Sequence, residues 1–139
     1  MLIAKDAIPQ VAIDIMNEVH DEEVVLLNDI DALIERRLSG EDVEEALGAR
    51  IEDLMEHVEF HFSNEERLMR ETGVPVYPIH RGEHDRVRDE LGTICADWRS
   101  EEGFARFAAY IRQTMPPWFA NHVATMDTVT AHMMSQVLA

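Results

Sequence analysis

Apolar residues recur along most of this chain at steps of three and four, the spacing that keeps side chains on one face of an α-helix. A first stripe of Ile13, Met16, Val24, Leu27, Ile30 and Ile34 predicts a helix from about Pro9 to Leu38, with His20 in the same stripe. Ser39-Gly40-Glu41-Asp42 ends it and caps a second helix, about Asp42 to Glu71, whose inward positions are Leu47, Ile51, Leu54, Val58, Phe62 and Met69. Pro75 and Pro78 break the pattern, since neither can continue a helix interior. A third helix starts near Pro78 and carries His80, His84, Val87, Leu91, Ile94 and Trp98. After Ser100-Glu101-Glu102-Gly103 a fourth runs through Phe104, Phe107 and Ile111. The pair Pro116-Pro117 should kink or restart it, and Trp118, His122, Met126, Val129, Met133 and Val137 continue the stripe. No strand-period alternation of useful length occurs. The pattern predicts an all-α, antiparallel up-down four-helix bundle, a single domain over residues 1–139.

Charge changes the picture first. Lys and Arg number 12 against 28 Asp and Glu, a formal net charge of −16. So acidic a chain is a poor partner for nucleic acid or an anionic membrane surface. Hydrophobic residues still make up 46%, enough for a packed core rather than disorder. The lone cysteine, Cys95, forms no internal disulfide and fits a reducing compartment. The apolar start of the chain is too short for a signal-peptide core, and no run suits a membrane span, so a cytoplasmic location is expected.

The histidines change it more. His20, His61, His80, His84 and His122 fall on or beside the buried stripes, and every predicted helix contributes at least one. One such histidine is usually a satisfied core residue, but burying five without partners would be costly. A metal removes that cost, because each ring gives one nitrogen to the ion and the other to an outer acceptor. His61 and Glu65 stand at i,i+4 on one helix and His80 and His84 at i,i+4 on the next, so each pair projects from one face. Glu65 lies at the centre of an apolar arc, where an unpaired carboxylate would be expelled or protonated. Imidazole-rich, carboxylate-bridged sites suit iron, with zinc, copper and manganese as lesser alternatives. No histidine follows a Glu at the Glu-x-x-His spacing of ferritin-like sites, and His-Glu-x-x-His is absent as well.

Four stretches together resemble the hemerythrins, specifically the bacterial single-domain members: His20 with Asn28 eight residues on; His61-Phe62-Ser63-Asn64-Glu65-Glu66-Arg67-Leu68-Met69; Tyr77-Pro78-Ile79-His80-Arg81-Gly82-Glu83-His84; and Trp118-Phe119-Ala120-Asn121-His122 through Asp127. The resemblance implies a non-haem di-iron site in the bundle core. One iron would take His80, His84 and His122, the other His20 and His61. Glu65 and Asp127 would bridge, together with an oxo or hydroxo group, and the second iron would be left with an open position at which family members bind O2 reversibly. The resemblance, not spacing, selects Asp127: it lies five residues after His122, off the face of a regular helix, so a local distortion such as a wide turn, or the reach of the side chain, must close the gap.

Two departures bear on function. Glu23, three residues after His20, stands where the family usually has an apolar residue. Either the run Asp21-Glu22-Glu23 solvates one side of the helix, or Glu23 is an extra ligand or pocket acid beside the open iron. Phe119 stands where the family often has Leu and, with Trp118, is expected to wall the oxygen pocket. His57 lies at the edge of its stripe, suiting an outer or surface role. His132 is expected at the surface or between helices, and the eight methionines fill the core. The leading expectation is an oxygen carrier, store or delivery protein, not an enzyme; a chain with no second module disfavours a sensor. The alternatives are a di-iron peroxidase, oxidase or NO-handling enzyme, and an iron-storage or structural metal site.

Overall fold

The computed structural model describes residues 1–138, and the helices it contains follow the apolar stripes with shifted ends. Helix α1 spans Asp14–Leu38, α2 Glu44–Thr72 and α3 Tyr77–Ala96. The last arm is one helical path made of α4 (Glu101–Ala109), a π turn (Tyr110–Thr114), α5 (Met115–His122), a second π turn (Val123–Asp127) and α6 (Thr128–Leu138). Short connections make successive arms antiparallel, and the four pack as a four-helix bundle. No helix among the described residues is long and apolar enough to cross a membrane.

Helix α1 begins five residues later than the pattern from Pro9 suggests, because residues ahead of it are held extended by its own side chains. Asn17 accepts the Val11 N–H at 2.8 Å and donates to the Val11 carbonyl at 2.9 Å. Asn28 does the same to Ile3, at 2.8 and 2.9 Å. Each amide imitates a strand neighbour, so the leading segment keeps its backbone bonds satisfied while Ile3 and Ile8 enter the core. The helix ends are conventional. Gly73, at φ 68°, closes α2 in the left-handed conformation, its N–H on the Met69 carbonyl. Pro78 sits in the first turn of α3, where its missing N–H costs nothing. Ser100 caps α4 by accepting the Gly103 N–H, and a Cβ on Gly103 would lie 1.6 Å from the Asp97 carbonyl oxygen, so only glycine fits there.

The restart expected at Pro116-Pro117 takes the form of the first π turn. The prolines fall in the opening turn of α5, and the carbonyls four residues before them lie within the wider turn, which lets the path stay helical. The second π turn corrects the predicted stripe of the final segment. From its last residue onward the inward residues are Asp127, Thr130, Ala131 and Met134. Val129 and Val137 are instead 48% and 56% exposed, and Met126 and Met133 are half-buried. One surplus residue in a turn moves every later side chain one position along the face.

The core is in two pieces. The larger joins Val24, Leu27, Ile30, Leu54, Phe62, Leu91, Phe107, Phe119 and their neighbours; the smaller joins Met16, Met69, Val74, Ala131 and Met134. Full burial of each such large side chain is worth about 1.5–3 kcal/mol. Between the two pieces along every arm lies a layer of buried polar residues.

Candidate metal centre

Each arm delivers its share of that layer. On α1, His20 stands one turn past Met16; on α2, His61 and Glu65 precede Met69; on α3, His80 and His84 precede Val87. The last arm brings His122 and, through the second π turn, Asp127. A regular helix would rotate a residue five positions on well away from His122, and the i→i+5 turn restores it. Thr128 supports the turn, its hydroxyl donating to the Val123 carbonyl at 2.7 Å. All seven residues are buried.

The two carboxylates face in two directions. Oε2 of Glu65 lies 2.8 Å from His61 Nε2 and 3.5 Å from His20 Nε2, while its Oε1 lies 3.3 Å from His84 Nε2 and 3.5 Å from His80 Nε2. Asp127 divides in the same sense: Oδ2 is 3.1 Å from His20 Nε2, and Oδ1 is 3.0 and 3.1 Å from Nε2 of His80 and His122. Two donor groups result. One holds His80, His84 and His122 with both carboxylates; the other holds His20 and His61 with the same two carboxylates.

Close as they are, most of these atoms are out of line for hydrogen bonds with one another. Nε2 of His20, His80, His84 and His122, both Asp127 oxygens and Glu65 Oε1 are buried without a hydrogen-bond partner among the described residues. So many orphaned donors of one kind, converging on common points, fit metal cations and little else. The electrostatics agree. Burial opposes charge on Glu65, but His61, His20 and His80 outweigh it and hold its carboxyl well below the usual range. Asp127 is likewise held low, by His122, His20 and His80 against burial and the neighbouring Glu65. In return, the carboxylates overcome burial at His20 and His80 and raise both to about 9. His84 goes down instead, because burial there exceeds the pull of Glu65. The carboxylate charge that raises His20 and His80 also favours a cation between them.

Around the layer, each ring is held from outside. His80 Nδ1 meets Thr130 Oγ1 at 2.7 Å, and His84 Nδ1 donates to Glu66 at 2.8 Å. Arg88 grips both oxygens of Glu66, at 2.7 and 3.1 Å. Phe62 stacks flat on His84, centroids 4.0 Å apart, and Trp118 stacks on His122 at 4.7 Å while its Nε1 donates to Glu83 at 2.8 Å. Phe119 sets its edge against His20 at 5.7 Å. Trp118 and Phe119 therefore serve different donor groups. Glu23 is not part of the solvated run: Glu22 is exposed and the half-buried Asp21 lies 3.7 Å from Lys5 Nζ, whereas Glu23 is 1% exposed and accepts from His61 Nδ1 at 2.9 Å. Its carboxylate lies on the nitrogen of His61 opposite the one near Glu65. His57 approaches Glu23 at 3.4 Å, and His132 is exposed.

Glu66, Arg88 and Thr130 carry outer roles that the pattern of the chain did not reveal. Arg88 does follow His84 at i,i+4, a usable signal, but Glu66 beside Glu65 reads as one more surface charge. Thr130 was hidden by the register shift, which gave its inward place to Val129 in the predicted stripe.

Comparison with known proteins accords with this geometry. The family model described as "Hemerythrin HHE cation binding domain" matches residues 11–133. A bacteriohemerythrin of Aquifex aeolicus (strain VF5) is 33% identical over 135 residues, 96% of this chain and 98% of that protein. A bacteriohemerythrin of Ralstonia nicotianae is 30% identical over 82 residues, 58% of this chain and 57% of that protein. One of Methylococcus capsulatus is 26% identical over 91 residues, 64% of this chain and 66% of that protein. No solved structure matches. With the matched domain spanning all seven buried donors, the chain belongs to the hemerythrin family.

Proposed function

We propose that this chain is a single-domain, cytoplasmic oxygen-binding protein with a di-iron centre, taking up and releasing O2 rather than consuming it. The observation that carries the reading is the unequal division of donors: three imidazoles on one side, two on the other, with Glu65 and Asp127 facing both. Two irons joined by an oxo or hydroxo bridge would supply, on the side with fewer ligands, a coordination position for O2. His80, His84 and His122 hold the fuller side, and His20 and His61 the other. Phe119, wholly buried against His20, keeps water from the less crowded side. Trp118 fixes the plane of His122 from behind, with its own N–H tied to Glu83.

The test is an optical spectrum of iron-loaded, anaerobically reduced protein before O2, after O2 and after an argon purge, with iron counted per chain. An absorption that appears with O2 and fades under argon, at about two irons per chain, is the expected result. Direct passage to a permanently oxidised spectrum would overturn reversible binding.

A further inference from the structure

The outward nitrogens of the cluster imidazoles meet different surroundings, and the differences are electrostatic. His80 meets a neutral hydroxyl, Thr130. His84 meets a carboxylate, Glu66, whose charge is already matched by the two-pronged grip of Arg88. His20 Nδ1 has no hydrogen-bond partner among the described residues. His61 alone meets a carboxylate that no Lys or Arg among the described residues approaches within ion-pair distance: Glu23, at 2.9 Å. The neighbours Glu23 does have are imidazoles, His61 and then His57, whose Nε2 lies 3.4 Å away and finds no hydrogen bond of its own. His57 in turn reaches the boundary of the protein, 12% exposed, with Nδ1 3.9 Å from the exposed Glu22.

A carboxylate behind a metal-binding histidine does two things. It accepts the hydrogen bond of Nδ1–H, so that Nε2 is the free donor, and it makes that donor more basic. Neutralising the carboxylate with an arginine keeps the first effect and removes most of the second. We infer that Glu23, backed by His57, is a positioning residue that fixes His61 and makes the His20–His61 side of the cluster more strongly donating than the five-donor side. The placement follows from two short spacings. His20 and Glu23, at i,i+3, share a face of α1; His57 and His61, at i,i+4, share a face of α2, and the packing of α1 on α2 brings them together. The inference rests on the cluster holding metal, as proposed above. It adds a difference between the two positions that the seven donors alone do not explain.

Cobalt(II) is a suitable probe, because its visible spectrum reports each imidazole-bound ion without any reaction with O2. Metal-free wild type, Glu23→Leu and Glu23→Gln would be titrated with Co(II) against a competing chelator. Wild type should take two ions. Glu23→Leu should weaken one of them about 10–100-fold and leave the other unchanged. Glu23→Gln, which still accepts the Nδ1–H hydrogen bond but carries no charge, should recover part of that loss and, after loading with iron, show a higher midpoint potential than wild type. Should Glu23→Leu fail to fold, Glu23→Gln alone decides, by one weakened ion and the raised potential. Wild-type affinities in both variants would overturn the inference, as would equal weakening of both ions. A third cobalt in wild type that Glu23→Gln loses would also overturn it, making Glu23 and His57 ligands of a separate cation. Wild type that binds no cobalt would overturn the di-iron reading itself, an outcome visible before any variant is compared.

Discussion

Glu65 and Glu66 are adjacent, buried and both acidic, yet they do opposite work: Glu65 turns both oxygens toward the cluster, and Glu66 supports His84 from outside while paired to Arg88. Sequence patterning separates such neighbours only in part. The five histidines and Glu65 were legible because imidazoles on apolar stripes demand a partner. Asp127 was legible only through resemblance, and Glu23 was ambiguous because two solvated acids precede it. Charge on a helix is ordinarily a surface feature, so buried charges that answer one another across helices leave little trace in one sequence. Glu83 offers a test at this scale. Its bond from Arg86, assisted by Trp118, pulls its carboxyl down to about 2 from an ordinary 4.5. A depressed acid stabilises the fold above its unfolded value, and that contribution drains away as pH falls from about 4.5 toward 2. The side chain is a quarter exposed, so screening reduces the effect to about 1 kcal/mol. Glu83→Gln should lose that amount at pH 7 and match wild type below pH 2, as read by urea unfolding across the pH range.

Among the elements, three helices follow the stripes closely, with ends set by residues such as Gly73 and Ser100 that any reading of caps would select. The late start of α1 was not legible, because asparagines bonding to a chain segment up to 25 residues away leave no periodic signal. Nor was the register of α6. A π turn is one residue more than an α turn over the same face, so deleting Ala124 should leave a regular helix with the later side chains still directed inward. The shortened protein should keep its helicity and its metal content. Deleting Val129 instead, beyond the turn, should rotate Thr130, Ala131 and Met134 off the core and lower the melting temperature sharply. Circular dichroism and metal analysis of the two deletions separate these outcomes. Survival of the Val129 deletion with the Ala124 deletion unfolded would refute this account of the turn.

For the whole molecule, the sequence announced an all-helical bundle with chemistry inside it, and the structure has that form. What no stripe displayed was the division of the core by a polar layer, since each arm contributes only one or two residues to it. Apart from the buried Glu23, Glu65, Glu66 and Asp127, the acids behind the −16 charge lie outside the layer and keep the exterior hydrated. The layer draws on all four arms, from His20 to Asp127, so a bound metal ties together parts of the chain that are far apart in sequence.

That division sets how the molecule comes apart. The small cluster of Met16, Met69, Val74, Ala131 and Met134 meets the large core mainly across the polar layer, with half-buried Val11 packed on both, so a bound metal should make the two ends open as one. Chelation should turn one cooperative unit into two, with amides around residues 69–77 and 128–134 exchanging with deuterium well before those around Leu54 and Phe107. Uniform acceleration along the bundle would show instead that the apolar clusters communicate without the ion. In the loaded protein the slow exchange of that end would then measure occupancy of the centre, read from the backbone rather than from the iron.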